Sequence, residues 1–363
     1  MPELFGQPYT PSALSQLTGT LRQLAGVRLL ERADGKARGM RVADIYTGSG
    51  FRFEVLLDRA LDIGAADFAG RPLAWLFPAL GTPAQHEPQG LGWLRTFGGG
   101  LMTTCGLTQI GHPDEDAGES LGLHGRISHI PAENIRVIEE WRGEEYVLGV
   151  EGRVRQAALF GENLLLTRRI TTRMGASHLL VEDIVRNEGF QPTPHMVLYH
   201  CNFGFPVVSP DSELLIRDDS VEPRDAAARA GFDRHTRLDP PQAPYPEQVF
   251  FHRPRSNAAG MAQGALVNRA LNFGAYVRYR AAELPHLWQW KMMGAGEYVC
   301  ALEPSNHIGA KRSALRADGR LRMLAPGEEL RYHVELGALP DEASIRQFEL
   351  TAGTSPTAYH PSR

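Results

Sequence analysis

The chain has 363 residues, 42% hydrophobic and 22% charged, with a formal net charge of -4. That composition fits an ordinary folded protein large enough to bury a core without staples. With no basic tract or acidic tail, it argues against nucleic acid or an anionic membrane surface as a partner.

The three cysteines, Cys105, Cys201 and Cys300, stand far apart and form no CxxC pair. This is not a disulfide framework and points to a reducing compartment. The opening MPELFGQPYT has neither the basic nor the apolar region of a signal peptide. No uninterrupted apolar run approaches about 18 residues. A cytoplasmic location is the expectation.

In chain order, PSALSQLTGTLRQLAG reads as a short helix near the start, and 1–24 as an N-terminal arm. One domain is expected over 25–350, then a C-terminal tail over 351–363. TGSG (47–50) reads as a hairpin turn. FRFEVLLDRALDIG (51–64) has period two, with Phe51, Phe53, Val55, Leu57, Leu61 and Ile63 on one face. Strict alternation also puts Arg59 there, where a guanidinium needs acceptors. Arg59 is turned outward by a bulge, paired with Asp58 or Asp62, or aimed at substrate oxygens from the floor of a cleft.

GTPAQHEPQGLGWLRTFGGG (81–100) and GHPDEDAGES (111–120) resemble lids more than tight turns. FGGG is not a phosphate loop, because no GK[ST] follows. LHGRISH (123–129) sets His124, Arg126 and His129 beside a glycine. Histidines five apart do not match the helical zinc pair and on a strand would face opposite sides, so one is expected to be structural. NLLLTRRITTRMGASHLLVEDIVRNEG (163–189) reads as two strands around Met174–Ser177. In LYHCNFGFP (198–206), His200 and Asn202 share a face with Met196 and Leu198; Cys201 points the other way, into the core.

The stretch 221–260, rich in Pro, Arg and Asp, reads as a long loop. AYVRYR (275–280), HLWQWKM (286–292), EYVCAL (297–302) and ELRYHVEL (329–336) continue the strand pattern. Trp288, Trp290 and Met292 share one face of their strand, and Gln289 and Lys291 the other; the tryptophans fill either a core or a sugar site. Glu303 ends an apolar strand and is followed by Pro304, expected to stop the strand's hydrogen bonding and leave the carboxylate at the sheet rim. A buried acid has a partner or a job. DEASIRQFEL reads as a short helix. Many strands and few helices give a mainly all-β fold, one large antiparallel β-sandwich.

Several of these segments together resemble the aldose 1-epimerase (galactose mutarotase-like) superfamily, and within it the DUF4432 branch. LLDRALDIGAADFAGRPLAWLFP, TTCGLTQIG, LGLHGRISHIPA, VEDIVRNEG, LYHCNFGFP, WKMMGAGEYVCALEPSN and LAPGEELRYHVEL carry the likeness, in order, over roughly 25–340. The resemblance implies a supersandwich with a cleft on one face and an enzyme that interconverts sugar anomers, with no metal and no cofactor. Carried over by motif, Glu303 is the base, His200 the acid and His124 a second histidine near the ring oxygen. Arg59 matches a sugar-contacting arginine; Asn202, Gln289 and Asn306 join it as expected contacts.

The family's substrate-binding Asp, between the histidine and the glutamate, has no clear equivalent. Lys291 and Arg126 are candidates to replace that contact; if both face the cleft, the sugar is anionic. The expected partner is a small-molecule carbohydrate, and an exposed strand edge could pair two copies as a homodimer. The alternatives are a non-catalytic sugar-binding protein on the same fold and a metal-dependent sugar isomerase or lyase using His124, His200 and Glu303.

Overall fold

The computed structural model describes residues 1–352. Of the expected tail, 351–352 close the helix Glu342–Ala352, and the remainder lies outside the described residues. Three antiparallel sheets dominate. An eight-stranded sheet has Glu133–Arg142 and Ser212–Ile216 at its edges; the hairpin Asn163–Arg173/His178–Asn187 lies inside it. A six-stranded sheet runs in the order Asp218–Pro223, Gln248–Pro254, His286–Gly294, Glu297–Ser305, Met196–Phe203, Thr103–Leu107. A five-stranded sheet spans Gly26–Glu31 to Arg71–Pro72.

Period two explains how the layers meet. In Met196–Phe203, Val197, Tyr199, Cys201 and Phe203 join the main core, together with Val181 and Val334 of the large sheet and Phe53 of the small one. Met196 and Leu198, on the other face, join a separate cluster with Trp93, Phe97 and Trp288. Arg168 pins the three sheets together. Its guanidinium, fully buried, meets Asp183 Oδ2 at 2.6 Å, Thr104 Oγ1 at 2.8 Å and Asp62 Oδ1 at 3.2 Å, one group from each sheet. A buried cation so placed costs several kcal/mol to strand alone. The N-terminal segment contributes Leu4 and Leu14 to the same core. No helix among the described residues is long and apolar enough to cross a membrane.

Three expectations change. Residues 51–64 are not one run: Phe51–Leu56 and Asp62–Phe68 pair with each other, and Ala60 and Leu61 turn the chain with left-handed φ of 53° and 59°. Arg59 therefore sits in a turn. The stretch 221–260 is no long loop, since it holds the helix Ala226–Ala230 and the whole strand Gln248–Pro254. Pro304 does not stop its strand, which runs on to Ser305.

Candidate active site

The register of the six-stranded sheet builds the site. Cys201 pairs with Leu302 and Leu198 with Ser305, which sets His200 opposite Glu303; on the far side Glu303 pairs with Trp288, and Trp288 with Phe251. These four side chains thus stand in one row on the face turned from the main core, at the ~5 Å spacing of cross-strand neighbours. Pro304, with no N–H to give, interrupts the ladder toward the His200 strand beside this row. Glu303 lies mid-sheet, 2% exposed, and not at a rim.

Above the row is a cavity of about 440 Å³, a size that suits a small ligand. Trp93, Phe97, Phe251, Trp288 and Trp290 wall it. The Phe97 ring lies 5.3 Å from that of His200, and Trp290 meets His200 edge-on at 5.5 Å. His200 Nε2 comes within 3.2 Å of Glu303 Oε1. Neither Glu303 Oε1 nor His200 Nδ1 has a hydrogen-bond partner. Burial pushes the Glu303 carboxyl well above the usual carboxylate range; the Glu247 carboxylate adds to this and Arg224 opposes it. Burial brings His200 down to about 4, against the pull of Asn202 and Glu247.

His124 closes the third side, its ring 5.7 Å from that of His200. It holds a left-handed φ of 57°, tied by its own N–H to the Gly111 carbonyl and by its carbonyl to the Gly106 N–H, both at 3.0 Å. Such backbone is tolerated by few non-glycine residues and is a form of strain often seen at functional sites. The Gly111 N–H donates to His124 Nδ1 at 3.3 Å, so the neutral ring carries its proton on Nε2. Burial, with His200 and His112 nearby, keeps the ring well below its ordinary pKa and therefore neutral.

Glu303, His200 and His124 are thus brought together, with Trp288 and Trp290. The other residues singled out from the sequence are not on the cavity wall. Arg59, 2% exposed, donates from Nε to the Ser128 carbonyl at 2.5 Å and from Nη1 to Gly81 and Thr96 at 2.9 and 3.1 Å. It clamps the loop that carries Trp93 and Phe97. Asp58 pairs with Arg41 instead. Asn202 donates to the Gly100 and His200 carbonyls, both at 2.9 Å.

Gln289 and Lys291 point to the opposite side, as alternation from Trp288 and Trp290 requires. Gln289 accepts from His252 at 3.1 Å, and Lys291 meets Asp239 at 2.9 Å. Asn306 ties strands together, taking the Val197 N–H at 2.8 Å. Arg126 is exposed, away from the lining, near His86. His129 is the structural histidine of its pair, stacked on His86 at 3.8 Å and bonded to Thr96 Oγ1 at 2.7 Å.

Sequence reasoning missed Glu247. It lies between His200 and Glu303 in the chain and lines the cavity mouth, accepting from Trp290 Nε1 and from Arg224, each at 2.8 Å. The signal was there in EQVFFH (247–252), an acid ahead of a short apolar, strand-forming run, but the flanking prolines and arginines hid it. Arg224 and Lys311, also on the wall, carry the positive charge sought at Lys291 and Arg126. Among the described residues, no group of three or more His, Cys, Asp or Glu side chains is placed to hold a metal ion.

The sequence profile of the family designated DUF4432, a domain of unknown function, matches residues 37–338. No curated protein matches the chain. Among solved structures, a candidate aldose 1-epimerase from Klebsiella pneumoniae superposes with a TM-score of 0.85 at 23% identity, over 90% of this chain and 86% of that one. A galactose mutarotase-like protein from Clostridium acetobutylicum gives 0.62 at 11% identity, over 86% and 98%. Galactose 1-epimerase from Lactobacillus acidophilus gives 0.58 at 13%, over 86% and 98%. At these identities the likeness establishes the fold, a galactose mutarotase-like β-sandwich.

Proposed function

The chain belongs to the DUF4432 family, and from that premise we propose that it is a carbohydrate isomerase of aldose 1-epimerase type, interconverting the anomers of a free sugar. One observation carries the reading: His200 Nε2 and Glu303 Oε1 approach to 3.2 Å at the floor of an aromatic-walled cavity. Aromatic faces suit the C–H faces of a sugar ring. The same reading takes residues 25–350 as the domain that does this work, with 1–24 an arm packed onto it.

Anomer exchange needs a base to take the proton of the anomeric hydroxyl while an acid delivers one to the ring oxygen. The C1–O5 bond breaks, the aldehyde forms, the C1–C2 bond rotates, and closure returns both protons. A Glu/His pair sharing one proton supplies both roles. With Glu303 as base and His200 as acid, opening leaves the proton on Glu303 and His200 neutral. Burial favours that arrangement in the free protein. The resting pair then matches the open-chain aldehyde. Sugar hydroxyls donating to the Glu303 carboxylate would favour its ionised form, with the proton on His200, readying the pair for ring opening. The neutral His124, with its proton on Nε2, donates to the ring oxygen or a neighbouring hydroxyl. Lys311 and Arg224 both have carboxylates beside them, Asp114 at 4.0 Å and Glu247 at 2.8 Å. Arg224 is thus committed to Glu247, whereas Lys311, exposed and only loosely paired, stays open to a sugar oxygen.

The test is anomer exchange, followed by NMR saturation transfer across a panel of free sugars. A positioned acid and base contribute ~10²–10⁴-fold, so Glu303→Gln and His200→Asn should each lose most of the exchange on whichever sugar is turned over. Saturable binding of a sugar with no exchange above buffer would replace this reading with a non-catalytic one.

A further inference from the structure

A second cavity, of about 770 Å³, opens where the strand His286–Gly294 begins and the strand Glu297–Ser305 ends. Arg253, His286, His307, Arg320 and Arg322 line it. Its two carboxylates are already engaged. Glu283 takes the His333 N–H and ring at 2.8 Å, and Glu329 lies 3.6 Å from Arg186 and 3.8 Å from Arg331. Arg253 has no carboxylate partner among the described residues. Among the described residues Arg320 pairs only with the exposed Asp318, at 2.6 Å, and such surface pairs are cheaply exchanged.

His307 is the decisive group. It is 7% exposed, lines the cavity, and its Nε2 is buried with no hydrogen-bond partner. A buried polar nitrogen left unpaired is costly unless something completes it. Its surroundings are positive. Burial, with His286 and Arg320, holds its ring down to about 4 against a hydrogen bond to the His195 backbone, and Arg253 acts on His286 in the same sense. The neutral ring spends its proton on that bond and leaves Nε2 as a bare lone pair. The wall shared with the first cavity is thin. The His307 carbonyl accepts from Trp288 Nε1 at 3.0 Å and from Ser305 Oγ at 2.9 Å.

We infer that this second cavity binds a small, multiply charged anion of phosphoryl or polycarboxylate type, held by Arg253 and Arg320, with His307 taking up a proton as the anion binds so that its buried Nε2–H donates to it. Guanidinium forks match both oxyanion geometries. The inference does not depend on the sugar reading, because the two cavities share no titratable lining residue.

The test is calorimetric titration of the full chain with pyrophosphate and, separately, citrate, at low and physiological ionic strength. One saturable site is expected for at least one probe, weaker at the higher salt. The double variant Arg253→Gln/Arg320→Gln should weaken it by about tenfold or more, since charge-assisted bonds are lost. Both arginines are exposed, so the variant's melting temperature should match wild type. Lys311→Gln, at the first cavity, should leave the affinity unchanged. Pyrophosphate alone saturating would make the ligand phosphoryl, and citrate alone would make it a polycarboxylate. No saturable binding of either probe, or a loss that follows Lys311→Gln and spares the double variant, would overturn the inference.

Discussion

Arg59 separates two accounts of one residue. The family resemblance makes it a sugar contact, whereas its geometry makes it a clamp on three carbonyls, those of Ser128, Gly81 and Thr96. Burial brings the guanidinium down to about 10 with only Asp62 opposing, which leaves it charged at neutral pH. Arg59→Met removes all three donations and strands buried acceptors, at ~1–3 kcal/mol each. Removing a desolvated cation returns part of that. A net loss of about 3 kcal/mol is expected, and at an m-value of about 3 kcal/mol/M it lowers the urea midpoint by about 1 M. Arg59→Lys keeps the charge, but a single ammonium cannot reproduce the fork, so it should lose a similar share. Urea unfolding followed by fluorescence reads the midpoint, and sugar titration reads affinity. Both variants keeping the wild-type midpoint while losing sugar affinity would refute the clamp and restore the sugar contact.

Lys291→Met should destabilise the fold by about 1–2 kcal/mol through loss of the Asp239 bond, with KM for any sugar unchanged; a raised KM in a stable protein would put Lys291 back in the cavity. Glu247→Gln removes a charge that raises both Glu303 and His200. Its pH–rate profile should shift to lower pH relative to wild type, and an unmoved profile would mean that Glu247 does not act electrostatically on the pair. Stability should fall as pH drops from 6.5 toward 4, because His195, His200 and His307 are each held down to about 4 from an ordinary 6.5. Over that window the unfolded chain binds protons that the folded one refuses, at up to ~1.4 kcal/mol per pH unit for each histidine. Equal urea midpoints at pH 7 and pH 5 would contradict this.

The sheets were legible because a half-buried strand must alternate, and 163–189 and 286–302 alternate plainly. Glu303 was legible for a related reason, as an acid that no apolar strand accepts without cause. Arg59, Gln289 and Lys291 misled because polarity on a buried face signals a need for partners without saying which. Each found them in the protein: carbonyls of distant loops, His252 and Asp239. The strand Gln248–Pro254 was hidden by the Pro- and Arg-rich segment ahead of it, and Glu247 was hidden with it. His124 was singled out with Arg126 and His129 in LHGRISH, but its role came only from the resemblance, since nothing local announces a left-handed histidine.

The alternation in Met196–Phe203, His286–Gly294 and Glu297–Ser305 also bears on how such a protein can diversify. One set of positions fills the core shared by the three sheets, and the interleaved set supplies His200, Trp288, Trp290 and Glu303 to the cavity. Mutational drift at the cavity positions can retune which ligand is accepted while the scaffold's folding free energy is left largely alone. Drift at the core positions is limited mainly by volume. Selection can therefore act on the two properties almost independently along a single stretch of chain. Such a division would let a backbone persist at a TM-score of 0.85 while identity falls to 23%.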